Sequence, residues 1–202
     1  MIKNIVFDFG DIFINLDKKL FAEELQKLQV SQESEEILPI LQQYEMGLMS
    51  TEEFLVFFQK KLNVSQANLI KAWNSILLDF PQQRLAFIQE LANSKKYRLF
   101  LLSNTNDLHI SWIKNNWGME LYNAFKICFE QFYLSHEINL RKPNSNIYEF
   151  VLNTNNLIAE ETFFIDDTKE NTVAAKALGI HIWNLKPGKE DVLELFTKNH
   201  II

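Results

Sequence analysis

The chain has 202 residues, of which 47% are hydrophobic, so it is long enough for one domain with a sizeable insertion and a well-filled core. Its formal net charge of −6 disfavours a nucleic-acid-binding protein, whose contact face is normally basic. The first residues lack the long apolar region of a signal peptide and no stretch has the length of a membrane span, so we expect a soluble, cytoplasmic protein without nucleic-acid or membrane partners.

The first predicted element is a β-strand at residues 5–7, Ile-Val-Phe. A short, continuous apolar run of this kind is typical of a strand that is buried on both faces of a parallel sheet. The run ends abruptly at Asp8-Phe9-Gly10-Asp11, where polar residues and a glycine predict a loop.

The next segment, residues 17–79, contains no strand-like run and shows three amphipathic helical patterns instead. Asp17 is placed to cap the first helix, and Ser50-Thr51-Glu52-Glu53 is a capping box that opens the second. Apolar residues from 69 to 77 predict the third, whereas Pro39 leaves the stretch 35–44 undecided. We expect an all-helical cap domain at 17–79, inserted into a core domain formed by 1–16 and 80–202.

After this insertion, strand-like and helical patterns alternate along the chain. Apolar runs predict strands at residues 99–102, 162–165 and 180–185, and a further one around 125–129. That last run contains the single cysteine, Cys128, which we expect to be a buried small hydrophobe.

Three helices are predicted between these strands. One begins at Pro81, one spans residues 144–153, and one has an apolar face made of Val173, Ala174, Ala177 and Leu178. Gly179 is placed to end the last helix in a left-handed conformation. The alternation predicts an α/β fold, namely a doubly wound, Rossmann-like parallel sheet with the helical cap inserted.

Polar residues that could take part in catalysis or ligand binding follow three of the predicted strands: Asp8, Ser103-Asn104 and Asp166-Asp167. Ligands of open parallel sheets bind beyond the carboxyl ends of the strands, where Lys142 can also reach from a loop. Three carboxylates brought together there would repel one another unless a cation lies among them, and hard oxygen ligands favour Mg²⁺. Carboxylates, a magnesium ion, a lysine and a hydroxyl are the components of phosphoryl transfer.

Four of these segments resemble the motifs of haloacid dehalogenase-like hydrolases: DFGDI from Asp8, LLSNT, RKP and FFIDD. The resemblance covers nearly the whole chain, because residues 17–79 look like the small helical cap of these enzymes and YEMGLMSTEEF is similar to a recurring stretch of it. SNTNDLH, YLS and RKP together are most similar to the bacterial sugar-phosphatase branch, which includes glucose-1-phosphate phosphatases.

The resemblance implies a role for each matching residue at the metal. Asp8 would attack phosphorus, become an aspartyl phosphate and bind Mg²⁺ through its other oxygen. The backbone carbonyl of Gly10 and the carboxylate of Asp167 would also bind the ion. Asp166 or Asn171 would hold metal-bound water.

The resemblance likewise implies how the substrate is held. Ser103 and the backbone amide of Asn104 would bind the phosphoryl oxygens, and Lys142 would offset the negative charge on nucleophile and phosphate. The cap would close over the site and choose the substrate. The partner expected is a small phosphorylated metabolite, a sugar phosphate such as a sugar 1-phosphate, and the protein is expected to be a monomer or a weak homodimer.

One position departs from the family pattern. Phosphatases of the family usually carry a second Asp two residues after the nucleophile, as general acid and base, and that position is Gly10 here. Asp11 could substitute, the leaving group could need little protonation, or the protein could bind a phosphorylated ligand without turnover; we favour the second. A 2-haloacid dehalogenase is a further alternative, which Asp166-Asp167 and the lack of an arginine shortly after Asp8 disfavour.

The roles of several other residues are less specific. We expect His109 to lie at the surface or at a helix start, although it could line the pocket. Trp112 and Trp117 are expected in the core or at the cap interface. Glu45 and Met46 lie in the cap, where substrate contacts could arise, and the sequence assigns them no role.

Overall fold

The computed structural model describes residues 1–30 and 35–198, and its centre is a five-stranded sheet. The strands, in chain order, are β1 (Asn4–Phe7), β2 (Arg98–Ser103), β3 (Gln131–Leu134), β4 (Thr162–Asp166) and β5 (His181–Asn184). All of them run parallel, and their spatial order is β3-β2-β1-β4-β5. The strand order therefore reverses between β1 and β4, which is where doubly wound sheets open a crevice for ligands.

The helical segment after β1 contains α1 (Lys18–Lys27), α2 (Leu38–Glu45), α3 (Thr51–Leu62) and α4 (Gln66–Asn74). As predicted, Asp17 caps α1 by accepting a hydrogen bond from the Leu20 amide, and Ser50 forms a capping box with Glu53 at α3. The helices share an apolar core of their own, in which aromatic rings pack closely; Phe54 stacks on Tyr44 with 4.0 Å between ring centroids.

The chain enters and leaves this helical segment through two antiparallel connections that pair with each other. The Asp17 amide donates to the Ile76 carbonyl at 2.8 Å, and the Asn15 amide donates to the Asp79 carbonyl at 2.9 Å. Residues 76 and 77 thus belong to the connection rather than to α4, whose predicted apolar face extended to Leu77. The paired connections hold the helical segment beside the carboxyl end of β1.

The remaining helices cover both faces of the sheet: α5 (Gln82–Ser94), α6 (Asp107–Asn116), α7 (Met119–Lys126), α8 (Ser135–Ile138), α9 (Ser145–Thr154) and α10 (Lys169–Ala177). Alternate residues of β1 supply the two resulting cores, because Ile5 and Phe7 point into one and Val6 into the other. This two-sided burial explains why the strands are continuous apolar runs. The predicted doubly wound α/β fold is confirmed.

The strand predicted around residues 125–129 is wrong. Phe125 lies in α7, Phe129 follows one turn later, and the strand β3 begins only at Gln131. Phe125 and Phe129 are four residues apart and their rings contact each other at 4.9 Å in the core, which is helical spacing. A short apolar run cannot by itself distinguish a buried helix from a buried strand. Cys128 is buried, as expected.

The apolar face predicted for the last helix, α10, is only partly right: Ala174 and Leu178 pack against the core, and Gly179 adopts the expected left-handed conformation with φ of 86°. Val173 is 57% exposed, and the buried side chains of this helix are Asn171, Thr172 and Ala175. The polar residues face inward because each finds a hydrogen-bond partner there. No helix in the described part of the chain is both long and apolar enough to cross a membrane.

Candidate active site

Three carboxylates meet at the carboxyl ends of the two strands that flank the switch point. Asp8 follows β1, Asp166 is the last residue of β4, and Asp167 follows it. The strands β1 and β4 are paired in register, with Phe7 opposite Ile165, so the residues after them are neighbours. One oxygen from each carboxylate can be chosen so that all three lie within 4.8 Å of one another.

A buried lysine lies against two of these carboxylates. The Lys142 side chain is 1% exposed, and its Nζ lies 2.8 Å from Asp8 Oδ1 and 2.7 Å from Asp166 Oδ2. Burial opposes its charge, but Asp166 and Asp8 raise the pKa of Lys142 above its ordinary value. Burial also raises the pKa of Asp8 to about 7, against the opposing effect of Lys142 and with support from Asp166 and Asp167. A further cation beside Asp8 would favour its ionised form.

The two carboxylates at the end of β4 have different surroundings. Asp166 is fully buried and accepts hydrogen bonds from the Thr168 amide at 2.8 Å and from the Asn171 side-chain amide at 3.0 and 3.1 Å. Asp167 instead lines an open cavity of about 430 Å³, together with Asp8. A ligand in this cavity meets Asp8 and Asp167 directly, whereas Asp166 lies behind them.

Asp11 does not join the three carboxylates in the metal-sized cluster. Its Oδ2 lies 2.7 Å from Nζ of Lys18, at the start of α1, and its Oδ1 accepts a hydrogen bond from the Leu16 amide at 3.1 Å. The same Lys18 ammonium lies 2.6 Å from Asp167 Oδ2. Although partial burial opposes it, these hydrogen bonds raise the pKa of Lys18, so this lysine is cationic. Both carboxylate oxygens of Asp11 therefore have partners in the connection between the core and the helical segment.

The donor set fits a divalent cation. Two lysine ammonium groups, Lys18 and Lys142, lie against four carboxylates: Asp8, Asp11, Asp166 and Asp167. When all six side chains are ionised, two negative charges stay unbalanced. Carboxylate oxygens are the ligands that Mg²⁺ prefers, and it usually takes one or two of them and completes its shell with water and phosphate oxygens. Asp8 and Asp167 at the cavity wall meet that requirement.

Ser103 and Asn104 lie at the end of β2; Asn104 lines the cavity of Asp8 and Asp167, and Ser103 lines a neighbouring one of about 280 Å³. The Asn104 side chain accepts a hydrogen bond from the backbone amide of Lys142 and donates one to its carbonyl, both at 2.9 Å. This amide therefore holds the backbone that presents Lys142, a function the sequence did not suggest. The Ser103 hydroxyl makes no hydrogen bond within the described residues and is available to a ligand.

Leu16 occupies the space beside Gly10. A Cβ atom added at Gly10 would lie 2.8 Å from Cδ1 of Leu16, closer than such atoms normally approach. An aspartate at this position would therefore require Leu16 to move. The departure from the family pattern at Gly10 is accompanied by a leucine that fills the place of the absent side chain.

A second cavity of about 280 Å³ lies between the core and the helical segment. One face of α2 forms part of its wall, through Leu38, Leu41, Gln42 and Glu45, and Phe21 and Trp73 add aromatic surface. Sequence reasoning left α2 undecided because of Pro39, although the spacing of 3, 4 and 7 residues within this face is that of a helix. Pro39 lies in the first turn of α2, where proline is tolerated. Gly10, Leu16, Glu45, Asn104 and Arg141 line both cavities, so the two adjoin.

His109 lies in the first turn of α6, as expected of a helix start, but it lines this second cavity instead of the surface. Its Nδ1 accepts from the Asn106 amide at 3.2 Å, so its Nε2 carries the proton and donates to the Trp73 carbonyl at 3.1 Å. Burial lowers the pKa of His109 to about 4, which makes it neutral at pH 7. Both ring nitrogens are engaged within the protein, so His109 is not free to transfer protons.

Three other residues singled out from the sequence, Trp112, Trp117 and Met46, make contacts within the protein. Trp112 and Trp117 pack against the main core and against each other, with 5.9 Å between ring centroids, which confirms the packing prediction. Met46 links the helical segment to the core, since its carbonyl accepts a hydrogen bond from Asn139 at 2.8 Å. The tryptophan that does line the second cavity is Trp73, which the sequence indicated only as part of a helix face.

A Rossmann-like core with carboxylates and a buried lysine at its switch point defines a hydrolase with an aspartate-centred active site. The family model described as haloacid dehalogenase-like hydrolase matches residues 5–184. The chain belongs to this family.

Named relatives and solved structures support this family assignment. The chain is 27% identical over 201 residues to a D-ribitol-5-phosphate phosphatase from Bacteroides thetaiotaomicron, covering 94% of this chain and 95% of the relative. It is similar to a magnesium complex of a HAD family enzyme from the same organism, with 37% identity, a TM-score of 0.83, and coverage of 96% and 98% of the two chains. A complex of that enzyme with magnesium and inorganic phosphate gives 34% identity, a TM-score of 0.79, and coverage of 94% and 97%.

Proposed function

We propose that this protein is a Mg²⁺-dependent phosphatase that hydrolyses a small phosphorylated metabolite through an aspartyl-phosphate intermediate. The observation that carries the proposal is the position of Lys142, buried between Asp8 and Asp166 while Asp8 and Asp167 face the open cavity. The name of the D-ribitol-5-phosphate phosphatase and the magnesium and phosphate held by the HAD family enzyme support it.

The residues that would hold the metal follow from the cavity wall. Asp8 and Asp167 would bind Mg²⁺ directly, and the Gly10 carbonyl would add a third protein oxygen. Asp166 would act through metal-bound water, with Asn171 fixing the orientation of its carboxylate. When bound, the ion neutralises phosphoryl oxygens and favours the ionised form of Asp8.

The chain's own residues would carry the chemistry in two steps. An Asp8 oxygen bonds to phosphorus while the bond from phosphorus to the ester oxygen breaks, and the leaving oxygen takes a proton from water. Water then attacks the aspartyl phosphate, releases phosphate and restores Asp8. Ser103, the Asn104 amide and Lys142 would hold the phosphoryl oxygens in line.

The absence of a side chain at Gly10 suits a leaving group that needs little protonation. General acid catalysis typically raises the rate about 10²–10⁴-fold. A leaving group that departs as a weakly basic anion can partly make up for its absence. Among sugar phosphates, a sugar 1-phosphate meets this condition best, because the ring oxygen on the same carbon stabilises the departing anion. Asp11 is less suited as a substitute acid, because Lys18 and the Leu16 amide already occupy its oxygens.

We further propose that residues 17–79 act as a cap domain on the core of 1–16 and 80–202. In support, these helices have their own apolar core and enclose the second cavity against the core. A wall built this way would exclude water from the reacting phosphate and select its leaving group. Sedimentation analysis tests whether the protein is a monomer or a weak homodimer.

The experiment that tests this function measures phosphate release from a panel of phosphorylated metabolites and from p-nitrophenyl phosphate. We expect activity with Mg²⁺, its loss with excess EDTA, and its recovery when Mg²⁺ is restored. Chloride release from 2-chloropropionate unaffected by EDTA would identify a dehalogenase instead. Binding of beryllium fluoride with Mg²⁺, without turnover of any phosphate, would identify a binding module.

A further inference from the structure

An ion pair connects the cap to the core where the two cavities adjoin. Arg141, in the loop immediately before Lys142, donates from Nε to Oε2 of Glu45 at 3.0 Å. Glu45 is the last residue of α2, so the pair joins the helical segment to the loop that presents the buried lysine. Both side chains are partly exposed, 20% for Arg141 and 30% for Glu45, and both line the two cavities.

Some of the other polar side chains around the second cavity already have partners inside the protein. The Asn104 amide is held by the backbone of Lys142, and Asn106 accepts hydrogen bonds from the Trp73 indole and the His109 backbone amide. Groups that are satisfied in this way offer little to a ligand.

Other polar groups at this cavity, the Ser103 hydroxyl among them, retain free hydrogen-bonding capacity within the part of the chain that the structure describes. Arg141 uses only its Nε and Glu45 only one oxygen, which leaves both terminal guanidinium nitrogens and Glu45 Oε1 unpaired. The Gln42 amide, one turn before Glu45 on the same face of α2, makes no side-chain hydrogen bond. The pair thus places charged donors and a charged acceptor side by side, next to the site where phosphate would bind.

We propose that Arg141 and Glu45 determine substrate specificity by binding hydroxyl groups of the leaving group adjacent to the phosphate ester. This assignment rests on the proposed phosphatase function. A guanidinium donates to a hydroxyl oxygen and a carboxylate accepts from a hydroxyl, so the two together recognise neighbouring hydroxyls, as on a polyol or sugar.

The rest of the second cavity limits what such a substrate carries further out. Its wall is largely apolar, with Leu38 and Leu41 from α2 and Phe21 from α1, and provides no partner for a second charged group at that end. Its volume of about 280 Å³ lies at the low end for small-molecule sites. The substrate class is therefore a short polyol or a monosaccharide with a single phosphate.

The test compares two kinds of substrate in wild type, Arg141→Met and Glu45→Gln. Ribitol 5-phosphate and glucose 1-phosphate carry hydroxyls next to the ester, whereas p-nitrophenyl phosphate carries none. A charged hydrogen bond contributes enough that we expect kcat/KM for the hydroxylated substrate used best to fall about 10- to 100-fold. The value for p-nitrophenyl phosphate is expected to change less than about threefold.

Matched controls separate recognition from stability. Arg98→Met and Glu130→Gln break a similar arginine–glutamate pair, joined at 2.8 Å, at the opposite end of the sheet, and should leave the ratio of the two kcat/KM values unchanged. The exchange Glu45→Arg with Arg141→Glu keeps an ion pair between cap and core, so its thermal unfolding shows how much of any loss of stability in the single variants comes from breaking the pair.

Three outcomes would overturn the assignment. Equal losses on both kinds of substrate would show that the pair only fastens the cap, and unchanged kcat/KM on both would show that it binds nothing. A wild type that hydrolyses no phosphate ester would overturn the proposed function itself, and this assignment with it; an active wild type with an unaffected ratio overturns the assignment alone.

Discussion

The carboxyl edge of the sheet and the cavity beneath the helical segment are built differently, although they share a wall. At the sheet edge, Asp166 is fully buried and Lys142 is 1% exposed, and each is held by several hydrogen bonds or ion pairs. Beneath the helices, Arg141 and Glu45 are 20–30% exposed and share one hydrogen bond.

The difference fits the two tasks that we propose for these regions, catalysis at the sheet edge and substrate recognition beneath the helices. Groups that stabilise a transition state are most effective when their positions are set in advance and need no reorganisation, which demands many internal partners. Groups that recognise a leaving group must instead keep donors and acceptors free for it. Each of the following predictions alters one of the two regions and leaves the other in place.

The largest effect is expected from Asp8→Asn, which removes the proposed nucleophile at the sheet edge. Replacing a catalytic nucleophile costs several orders of magnitude in rate, so kcat should fall at least about 10⁴-fold on every phosphate ester. Steady-state phosphate release measures it. Glu149→Gln, which makes the same chemical change at an exposed position of α9, serves as the control and should retain full activity. Residual activity of Asp8→Asn above a tenth of wild type would exclude an aspartyl phosphate at this position.

A gain of activity is expected when the absent acid is supplied together with room for it. Gly10→Asp alone places its Cβ within 2.8 Å of Leu16, so we combine it with Leu16→Ala. General acid catalysis is worth about 10²–10⁴-fold where it is well placed, and we expect the double variant to gain roughly tenfold in kcat on ribitol 5-phosphate. Activity on p-nitrophenyl phosphate, whose leaving group needs little protonation, should hardly change.

Two single variants provide the comparison for this gain. Leu16→Ala tests the effect of the added space, and Gly10→Asp tests the acid without that space; each should gain less than the pair. If Leu16→Ala alone reproduced the gain, the missing acid would not be what limits the rate on poor leaving groups.

The smallest effect concerns His109, in the wall of the second cavity. Burial lowers its pKa to about 4, below the ordinary value of 6.5, so between these pH values the unfolded chain binds a proton that the folded chain does not. The free energy of unfolding therefore decreases as the pH falls from 6.5 to 4, by at most about 1.4 kcal/mol per pH unit from this residue, and its contribution is fully present above pH 6.5.

Urea unfolding at pH 7 and pH 5 measures this term in wild type and in His109→Gln. The variant should lose less stability between the two pH values than wild type does. Equal pH dependence in both proteins would mean that the histidine is already accessible to protons when folded.

Much of the sheet edge could be predicted because its residues follow strands directly. Asp8 and Asp166-Asp167 end continuous apolar runs, and parallel strands bring their carboxyl ends to one edge whatever the intervening sequence does. The strand prediction at 125–129 was wrong because, in so short a window, the spacing of Phe125 and Phe129 is compatible with either a strand or a helix. The inward face of α10 was predicted only in part, because it includes polar side chains. The burial of Asn171 is explained by its hydrogen bonds to Asp166, which an apolar pattern does not indicate.

The order of apolar runs and polar ends along this sequence was sufficient to determine the parallel α/β core, the helical insertion and the meeting of carboxylates with a lysine. Only the tertiary structure decided that Leu16 fills the space beside Gly10, that Asn104 holds the Lys142 backbone, and that Glu45 reaches Arg141. The physical reason is distance along the chain. Strand ends converge through regular hydrogen bonding that a local pattern encodes, whereas contacts between a helical insertion and a core depend on how two separately packed bodies meet.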